Sequence, residues 1–540
     1  MSSIKDQIIR ALERAAKIRN PELEFPENET FGDYSTNVAL KTGQKTGDIV
    51  TRLQKNKKLF DIVEKIDIAG PGFINFWLKK EILVNSLNNI DMPNIGKGKT
   101  VIIDYSSPNI AKPFGIGHLR SSIIGQALYN LYKFLGYEVV GDNHLGDWGT
   151  QFGKLLFMID RTKTKDFSVE NLEKLYVEFH KHPEWEEGGR KWFKKLEGGD
   201  KEAREIWQRC VDVSLKEFER IYELLGVKID FAFGESYYES EMKQMLTDPK
   251  ITEYIETGEN NSKIINIPNI KTPLMFLKSD GATTYATRDL ATIAFRERKW
   301  DPDIIIYEVG AEQTLYFRQL FATARLLGLV GDKVELIHTA HGLYLSPGGK
   351  KFSTRRGETV KLEEVLDEAI ARARKLGNSD EVTAKAVGIG AIKYFDLMHS
   401  VGSDVTFDWD KVMNMEGNSG PYLQYTFART QSVLAKAKTP QELQGYTLQS
   451  EEEVVLRTLF RFPEVIMAAA KNYSPNILCN YLYDLASKFN TFYNKCRILP
   501  ADTTRQVSAD FTWRVKLTAA TGRVLKTGLN LLGIEAPERM

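Results

Sequence analysis

Between residues 101 and 134 the chain reads VIIDYSSPNIAKPFGIGHLRSSIIGQALYNLYKF, and the residue types in this stretch are those that hold an anion. VIIDYS is apolar enough to be a buried strand. Pro108 and Pro113 then forbid helix, and from Gly117 onward apolar residues recur with helical period. A helix start presents unpaired N–H groups and the positive end of the helix dipole, so phosphates and carboxylates bind there. Lys112 and His118 add side-chain donors, while Gly115 and Gly117 let a ligand approach the backbone closely. Taken alone, Gly-x-Gly after a strand is equally an ordinary tight turn. A nearby stretch, Gly98-Lys99-Thr100, fails as a phosphate-binding P-loop. Pro93 stands where the first glycine belongs, and a strand follows instead of a helix.

The elements around this stretch indicate how it is positioned. VIIDYS, YEVVGDNHLG, PDIIIYEVG and KVELIHTAHG alternate with helical segments, which predicts a parallel doubly wound sheet with ligands at the carboxyl ends of its strands. Residues 155 to 270 form a long stretch of mixed charge and helical character, read as an insertion that splits the sheet. Residues 1 to 94 combine helices with the strand FINFWL, in which Phe73, Asn75 and Trp77 share one face. Aromatics on that face stack on bases if it is exposed; the alternative is that both faces are buried. DMPNIGKGKT reads as a linker. After residue 405 the pattern is almost entirely helical. The expected architecture is therefore multidomain: an α+β domain at 1–94, a Rossmann-like α/β domain at 98–404 with a helical insertion, and an all-α helical bundle at 405–540.

Composition narrows the function classes without choosing among them. A chain of 540 residues with 42% hydrophobic residues carries two to four domains. Its 73 Lys and Arg balance 72 Asp and Glu, so global charge neither requires nor excludes a nucleic-acid partner. Residues 411–540 hold 16 basic against 11 acidic side chains, a local surplus that with Tyr422 and Tyr425 suits RNA contact, although aromatics at helical spacing are also core residues. Cys210, Cys479 and Cys496 are too dispersed for a C-x-x-C knuckle and argue against a disulfide framework, consistent with a reducing cytoplasmic location. The N-terminal segment places Ile4, Ile8 and Leu12 at helical spacing without the apolar core of a signal peptide, and no stretch is long and apolar enough for a membrane span.

Six segments, in order, resemble the arginyl-tRNA synthetases of class I. Ser106-Ser107-Pro108-Asn109-Ile110-Ala111-Lys112 through Gly117-His118-Leu119-Arg120-Ser121 matches the extended HIGH region. Asn143-His144-Leu145-Gly146-Asp147-Trp148-Gly149 through Gly153 matches the next signature. Tyr285-Ala286-Thr287-Arg288-Asp289 and Val309-Gly310-Ala311-Glu312-Gln313 follow. Lys351-Phe352-Ser353-Thr354-Arg355, in the glycine-flanked loop 348–357, stands where class I enzymes have KMSKS, and Pro421-Tyr422-Leu423-Gln424-Tyr425 opens the helical domain. Two positions depart from the class: Gly115 replaces the first His of HIGH, and Thr354 replaces the second Lys of KMSKS.

The resemblance implies an arginine-tRNA ligase that forms arginyl-adenylate from L-arginine and ATP, then transfers arginine to the terminal ribose of its tRNA. It implies catalytic roles for Lys112, His118 and Lys351. Gly115, Gly117, His118, Gly342, Lys351, Phe352 and Ser353 are expected to bind ATP. Ser107, Asn109, His118, Tyr285, Asp289, Gln313 and Glu235 are expected to bind arginine, with Asp289 facing the guanidinium, and the competing reading of Asp289 is an ion pair with Arg288 or Arg296. Phe73, Asn75, Tyr422 and Tyr425 are expected to bind tRNA, the N-terminal domain gripping the elbow and the helical domain reading the anticodon. Mg²⁺ is expected to travel with ATP, with no tightly held protein metal, and the enzyme is expected to be a monomer. Gly115 leaves open a synthetase-like protein that binds tRNA or arginine without catalysis.

Overall fold

The computed structural model describes residues 3–26, 28–88, 94–346, 361–377, 380–437, 447–500 and 509–540. The chain forms two compact units. One comprises residues 1–92, 436–463 and 487–521, and the other residues 93–435, 464–486 and 522–540.

In the first unit the N-terminal periodicity produces a helix, Ile4–Ala16, started by a reciprocal capping box between Ser3 and Asp6 and burying Ile8 and Leu12. Strands β1 (Tyr34–Thr36), β2 (Val63–Ala69) and β3 (Phe73–Leu78) form an antiparallel sheet in the order β1-β3-β2. Ile74, Phe76 and Leu78 on β3 are fully buried, as their alternation requires. The opposite face is not uniformly open. Phe73 is 39% exposed, whereas Asn75 is only 1% exposed because its Oδ1 accepts a 2.7 Å hydrogen bond from Ser35 Oγ on β1. Asp33, at the edge of this sheet, accepts the Leu78 N–H at 2.7 Å and pairs with Arg457 from the helix Ser450–Phe460.

The second unit is built on a parallel sheet of β4 (Thr100–Asp104), β5 (Glu138–Asp142), β9 (Ile304–Tyr307) and β10 (Glu335–His338), in the order β10-β9-β4-β5. The chain leaves β4 for β5 on one side and later returns to β9 on the other. The strand order thus reverses between β4 and β9, which opens a crevice at their carboxyl ends. The helix Gly117–Phe134 connects β4 to β5, and Gly125 lets it lie against the sheet, since a Cβ there would fall 2.3 Å from Tyr105 Cβ.

Between β5 and β9 the insertion contains the helices Thr150–Thr162, Val169–Phe179, Glu186–Glu197 and Lys201–Leu225. It also contains an antiparallel sheet that its charge pattern concealed: β6 (Ile255–Thr257), β7 (Lys263–Ile265) and β8 (Leu274–Leu277). These strands are three or four residues long, too short for alternation to be read. Beneath them Ile265, Leu274 and Phe276 join Ile102, Leu290 and Ile305 in one apolar core. Among the described residues no helix is long and apolar enough to cross a membrane.

Candidate active site

The carboxyl end of β4 continues into a loop with three non-glycine residues at positive φ: Ser106 (74°), Ser107 (45°) and Ala111 (61°). Left-handed backbone at serine and alanine persists only where surrounding contacts impose it. Here Ser106 N–H donates to Ser121 Oγ at 2.8 Å, Ser107 N–H to Asn143 Oδ1 at 3.0 Å, and Ala111 N–H to Ser214 Oγ at 2.9 Å. Ser121 Oγ in turn donates to the carbonyl of Glu308 at 2.6 Å, so one hydroxyl ties the ends of β4 and β9 across the crevice. Gly146 runs against this loop, where a Cβ would fall 2.2 Å from Asn109 Oδ1.

The helix Gly117–Phe134 opens into this region without any side-chain cap on its first turn, and a Cβ at Gly117 would meet open space. The first turn is partly closed by backbone, since the His118 N–H donates to the Gly115 carbonyl at 3.0 Å and the Leu119 N–H to the Ile116 carbonyl at 3.1 Å, so the helix start offers an anion its positive dipole end and not a full set of unpaired N–H groups. Gly115 differs from expectation, because its N–H is already used: it donates to His118 Nδ1 at 3.1 Å. Burial lowers the His118 pKa, outweighing the contact with the Gly115 backbone and assisted by the charge of Lys112, so the ring is neutral near pH 7. Arg120, one turn on, is fully buried with its Nε 3.2 Å from Asp396 Oδ2, and it serves packing rather than a ligand.

A pocket beside this loop is lined by Asn109, Lys112, Gln151, Tyr176, Glu235 and Tyr285, together with Trp148 and other apolar groups. It gathers four of the anticipated residues. The Lys112 ammonium stands 5.1 Å from the centre of the Tyr176 ring on the insertion, and Tyr285, 56% exposed, accepts a 3.2 Å hydrogen bond from Gln151 Nε2.

Tyr285 and Asp289 occupy one face of the helix Tyr285–Trp300, whose start is fixed by Thr284 and Thr287 in a capping box. Both arginines of this helix that could have neutralised Asp289 are committed elsewhere. Arg288 is buried against Glu235 at 2.6 Å, and Arg296 is buried against Asp104 at 2.7 Å and Asp142 at 2.8 Å. The ion pair anticipated as the competing role of Asp289 is therefore not formed. Asp289 instead lies 3.3 Å from His144 Nε2 and accepts a hydrogen bond from the hydroxyl of Tyr316. Glu235, expected to add negative charge, is paired with Arg288 in this structure. Burial nonetheless raises its carboxyl pKa against that partner.

The remaining anticipated residues are dispersed. Ser107 turns its hydroxyl to Asp104 Oδ1 at 3.0 Å, and Gln313 is exposed in the short turn Ala311–Gln313. Gly342 is required by packing, since its N–H donates to the Val401 carbonyl at 3.0 Å and a Cβ would fall 2.4 Å from the Ser403 carbonyl oxygen. Tyr422 is partly buried 5.7 Å from the Tyr483 ring, while Tyr425 is exposed beneath Arg429. Lys351, Phe352, Ser353 and the rest of the loop 348–357 lie outside the described residues. The structure adds Asp104, Asp142, His144, Gln151, Tyr176, Arg296 and Tyr316 to the region. Asp104 and Asp142 had a visible signal, an acidic residue ending an apolar strand, whereas nothing in the sequence draws Tyr316 to Asp289.

Asp147 holds Glu235 in place by accepting the Ser236 N–H at 2.9 Å and the Ser236 hydroxyl at 2.6 Å. Five carboxylates, Asp104, Asp142, Asp147, Glu235 and Asp289, thus cluster around Arg288, Arg296 and His144, so carboxylates outnumber the basic groups even with the imidazole counted.

Comparison with known proteins agrees with this arrangement along the whole chain. Residues 80–409 match the model described as tRNA synthetases class I (R), catalytic domain. Residues 2–78 match the arginyl tRNA synthetase N terminal domain, and residues 423–540 the DALR anticodon binding domain. The arginine–tRNA ligase of Chloroflexus aurantiacus is 41% identical, with 97% of this chain and 95% of the relative covered. That of Fusobacterium nucleatum is 36% identical, with 97% and 96% covered. The crystal structure of arginyl-tRNA synthetase from Plasmodium falciparum aligns over 100% of both chains with a TM-score of 0.86 at 25% identity. A helix N-terminus beside a strained loop, a cluster of carboxylates near the switch point of a parallel sheet, and these full-length likenesses agree: the chain belongs to the class I arginyl-tRNA synthetase family.

Proposed function

We propose that this protein is an arginine–tRNA ligase, and that Asp289 receives the guanidinium of substrate arginine. The observation that carries the assignment is the pairing pattern of the helix Tyr285–Trp300. Arg288 and Arg296 each have another carboxylate, so Asp289 is left without a Lys or Arg partner among the described residues. A guanidinium stays charged and presents a planar fork of donors, which a partly buried carboxylate accepts well. Tyr285, on the same face, walls the pocket.

In the first step a carboxylate oxygen of arginine attacks the α-phosphorus of ATP, the bond to the β-phosphate breaks, and pyrophosphate leaves; Mg²⁺ arriving with ATP would offset the phosphate charge. In the second step a ribose hydroxyl at the end of the tRNA attacks the activated carbonyl and AMP leaves. Such transfers depend on in-line positioning and charge stabilisation. The N-terminus at Gly117, Nε2–H of neutral His118, Lys112 and Lys351 supply donors and cations to the phosphates, and Gly342, Phe352 and Ser353 are assigned to ATP on the family resemblance. Asn109, Ser107 and Gln313 orient the amino acid. Exposed Phe73 and Tyr425 contribute to tRNA contact, and Asn75 acts there through its bond to Ser35.

Pyrophosphate exchange with arginine, ATP and cognate tRNA tests the assignment. Exchange is expected with arginine and not with lysine, cysteine or glutamate. No exchange with arginine, with and without tRNA, overturns it in favour of a non-catalytic binding protein.

A further inference from the structure

We infer that His144 is the cation that accompanies Asp289 in the absence of substrate, and that an arriving guanidinium takes its place and sends the ring proton to solvent. The inference rests on the reading of Asp289 as the guanidinium partner.

His144 follows β5 in the Asn143-His144-Leu145-Gly146 loop, and its side chain is 13% exposed. Its Nε2 lies 3.3 Å from Asp289 Oδ1, and neither ring nitrogen has an aligned hydrogen-bond partner among the described residues. The other carboxylate oxygen of Asp289 is taken by the Tyr316 hydroxyl. The groups facing the imidazole are Asp289 and Arg296 from the helix Tyr285–Trp300, Asp104 from β4, Asp142 from β5 and Asp147 from its own loop. Glu235 and Tyr238, the latter with ring centres 5.6 Å apart, face it from the turn Glu235–Tyr238, and Tyr307 lies beyond Arg296 on β9.

Burial is the largest influence on the ring and favours its neutral form. The contact with Asp289 and the charge of Asp104 outweigh burial and hold the pKa up at about 9. A second cation at the same carboxylate withdraws that support and repels the imidazolium, whereas the buried ring is stable once neutral. The proton passes to buffer and no covalent bond changes. Citrulline, which has the shape of arginine and a neutral ureido group, cannot make this exchange. His144 thereby becomes a specificity-determining residue that keeps the unliganded pocket closed to neutral analogues.

Calorimetric titration of the full-length enzyme with arginine at pH 7.5, in two buffers of different ionisation enthalpy, reads the proton directly. The expected result is release of about one proton per arginine bound, and affinity rising up to about tenfold per pH unit between pH 7 and 9. His144→Gln should abolish the His144 share of the release while arginine still binds. Subtracting its value removes any proton from the α-amino group of arginine. Ring-proton NMR of the wild-type enzyme at pH 7.5 gives a second reading independent of the variant: one of the seven histidines should pass from charged to neutral on adding arginine and stay charged with citrulline. Equal release by wild type and His144→Gln, or no histidine changing charge, overturns the inference. Asp289→Asn separates the two levels: if it binds arginine as the wild type does, the assignment of Asp289 fails; if it loses binding while the wild type releases no proton, only the role of His144 fails.

Discussion

Gly115 donates its backbone N–H to Nδ1 of His118 across 3.1 Å, and that bond sets what the imidazole offers a ligand. A neutral ring that accepts at Nδ1 carries its proton on Nε2, so His118 becomes a fixed neutral donor beside the positive end of a helix dipole. The position where the class has a histidine here supplies a backbone group that orients the remaining one.

His118→Ala should therefore lower the arginine- and tRNA-dependent exchange rate by about 10²–10³-fold, the loss expected for one preorganised donor. Burial lowers the pKa of the ring, so the acid limb of the wild-type rate profile should lie below the ordinary histidine value of about 6.5. Protonation at Nδ1 breaks the Gly115 bond, so activity falls as pH drops through that limb and is full above it. Exchange rates measured from pH 5 to 8 check both statements. A limb at or above the ordinary value, or a loss under threefold, contradicts them.

Asp289→Asn preserves volume and removes the charge. A guanidinium left in a partly buried pocket without its anion costs about 2–5 kcal/mol, a loss of roughly thirty to several thousandfold in kcat/KM for arginine. The effect should fall on arginine and leave the KM for ATP little changed. Survival of arginine activation within about threefold shows that the guanidinium is bound elsewhere.

Lys112 bears on the second departure from the class, Thr354 in the place of the second loop lysine. Its ammonium rests over the Tyr176 ring, 5.1 Å from the centre, held by a weak cation–π contact and free to swing toward a phosphate. Lys112→Ala should cost more in exchange rate than Thr354→Ala, by about tenfold or more. Equal effects in steady-state exchange would show that Lys112 does not stand in for the missing loop cation.

The parallel sheet was legible because its four strands are apolar runs ending in polar or glycine-rich residues. The helix carrying Tyr285 and Asp289 was legible because YATRDLATIAF keeps helical period behind a threonine cap. The pairing of charges was not. Arg296 meets Asp104 and Asp142 from 192 and 154 residues away, and such a match depends on how a helix crosses a sheet, which periodicity does not encode. The same limit hid His144 beside Asp289 and left the exposure of Asn75 open. Alternation assigns Asn75 to a face, but only the neighbouring strand, through Ser35, shows that the face is closed at that point.

Lys393 illustrates the same limit and carries a prediction about stability. It sits in the helix Glu381–Leu397, wholly buried, and its Nζ donates to the carbonyl of Leu225, at the end of the helix Lys201–Leu225, at 2.6 Å and to the carbonyl of Gly533. No carboxylate lies within ion-pair distance among the described residues. Burial alone lowers its pKa from 10.5 to about 7, and a neutral amine has two N–H donors for these two carbonyls. Nearby, Asn130 donates to the carbonyl of Leu531 at 3.2 Å and Gln424 to that of Glu535 at 2.7 Å, so Lys393 is one of several pins on the segment 530–535. With the folded pKa below the unfolded one, the unfolded chain binds more protons between about pH 7 and 10.5. Stability from this group therefore rises with pH across that window, by at most about 1.4 kcal/mol per pH unit, and is lost as pH falls to 7. Lys393→Met removes both the pH term and the two donors, leaving two buried carbonyls that cost about 1–3 kcal/mol each. Hydrogen exchange of peptides spanning residues 225 and 530–535 should show faster local opening in Lys393→Met at pH 9 than at pH 7, relative to wild type. A difference that shrinks with rising pH would mean that the buried amine is charged and held by the two helix ends.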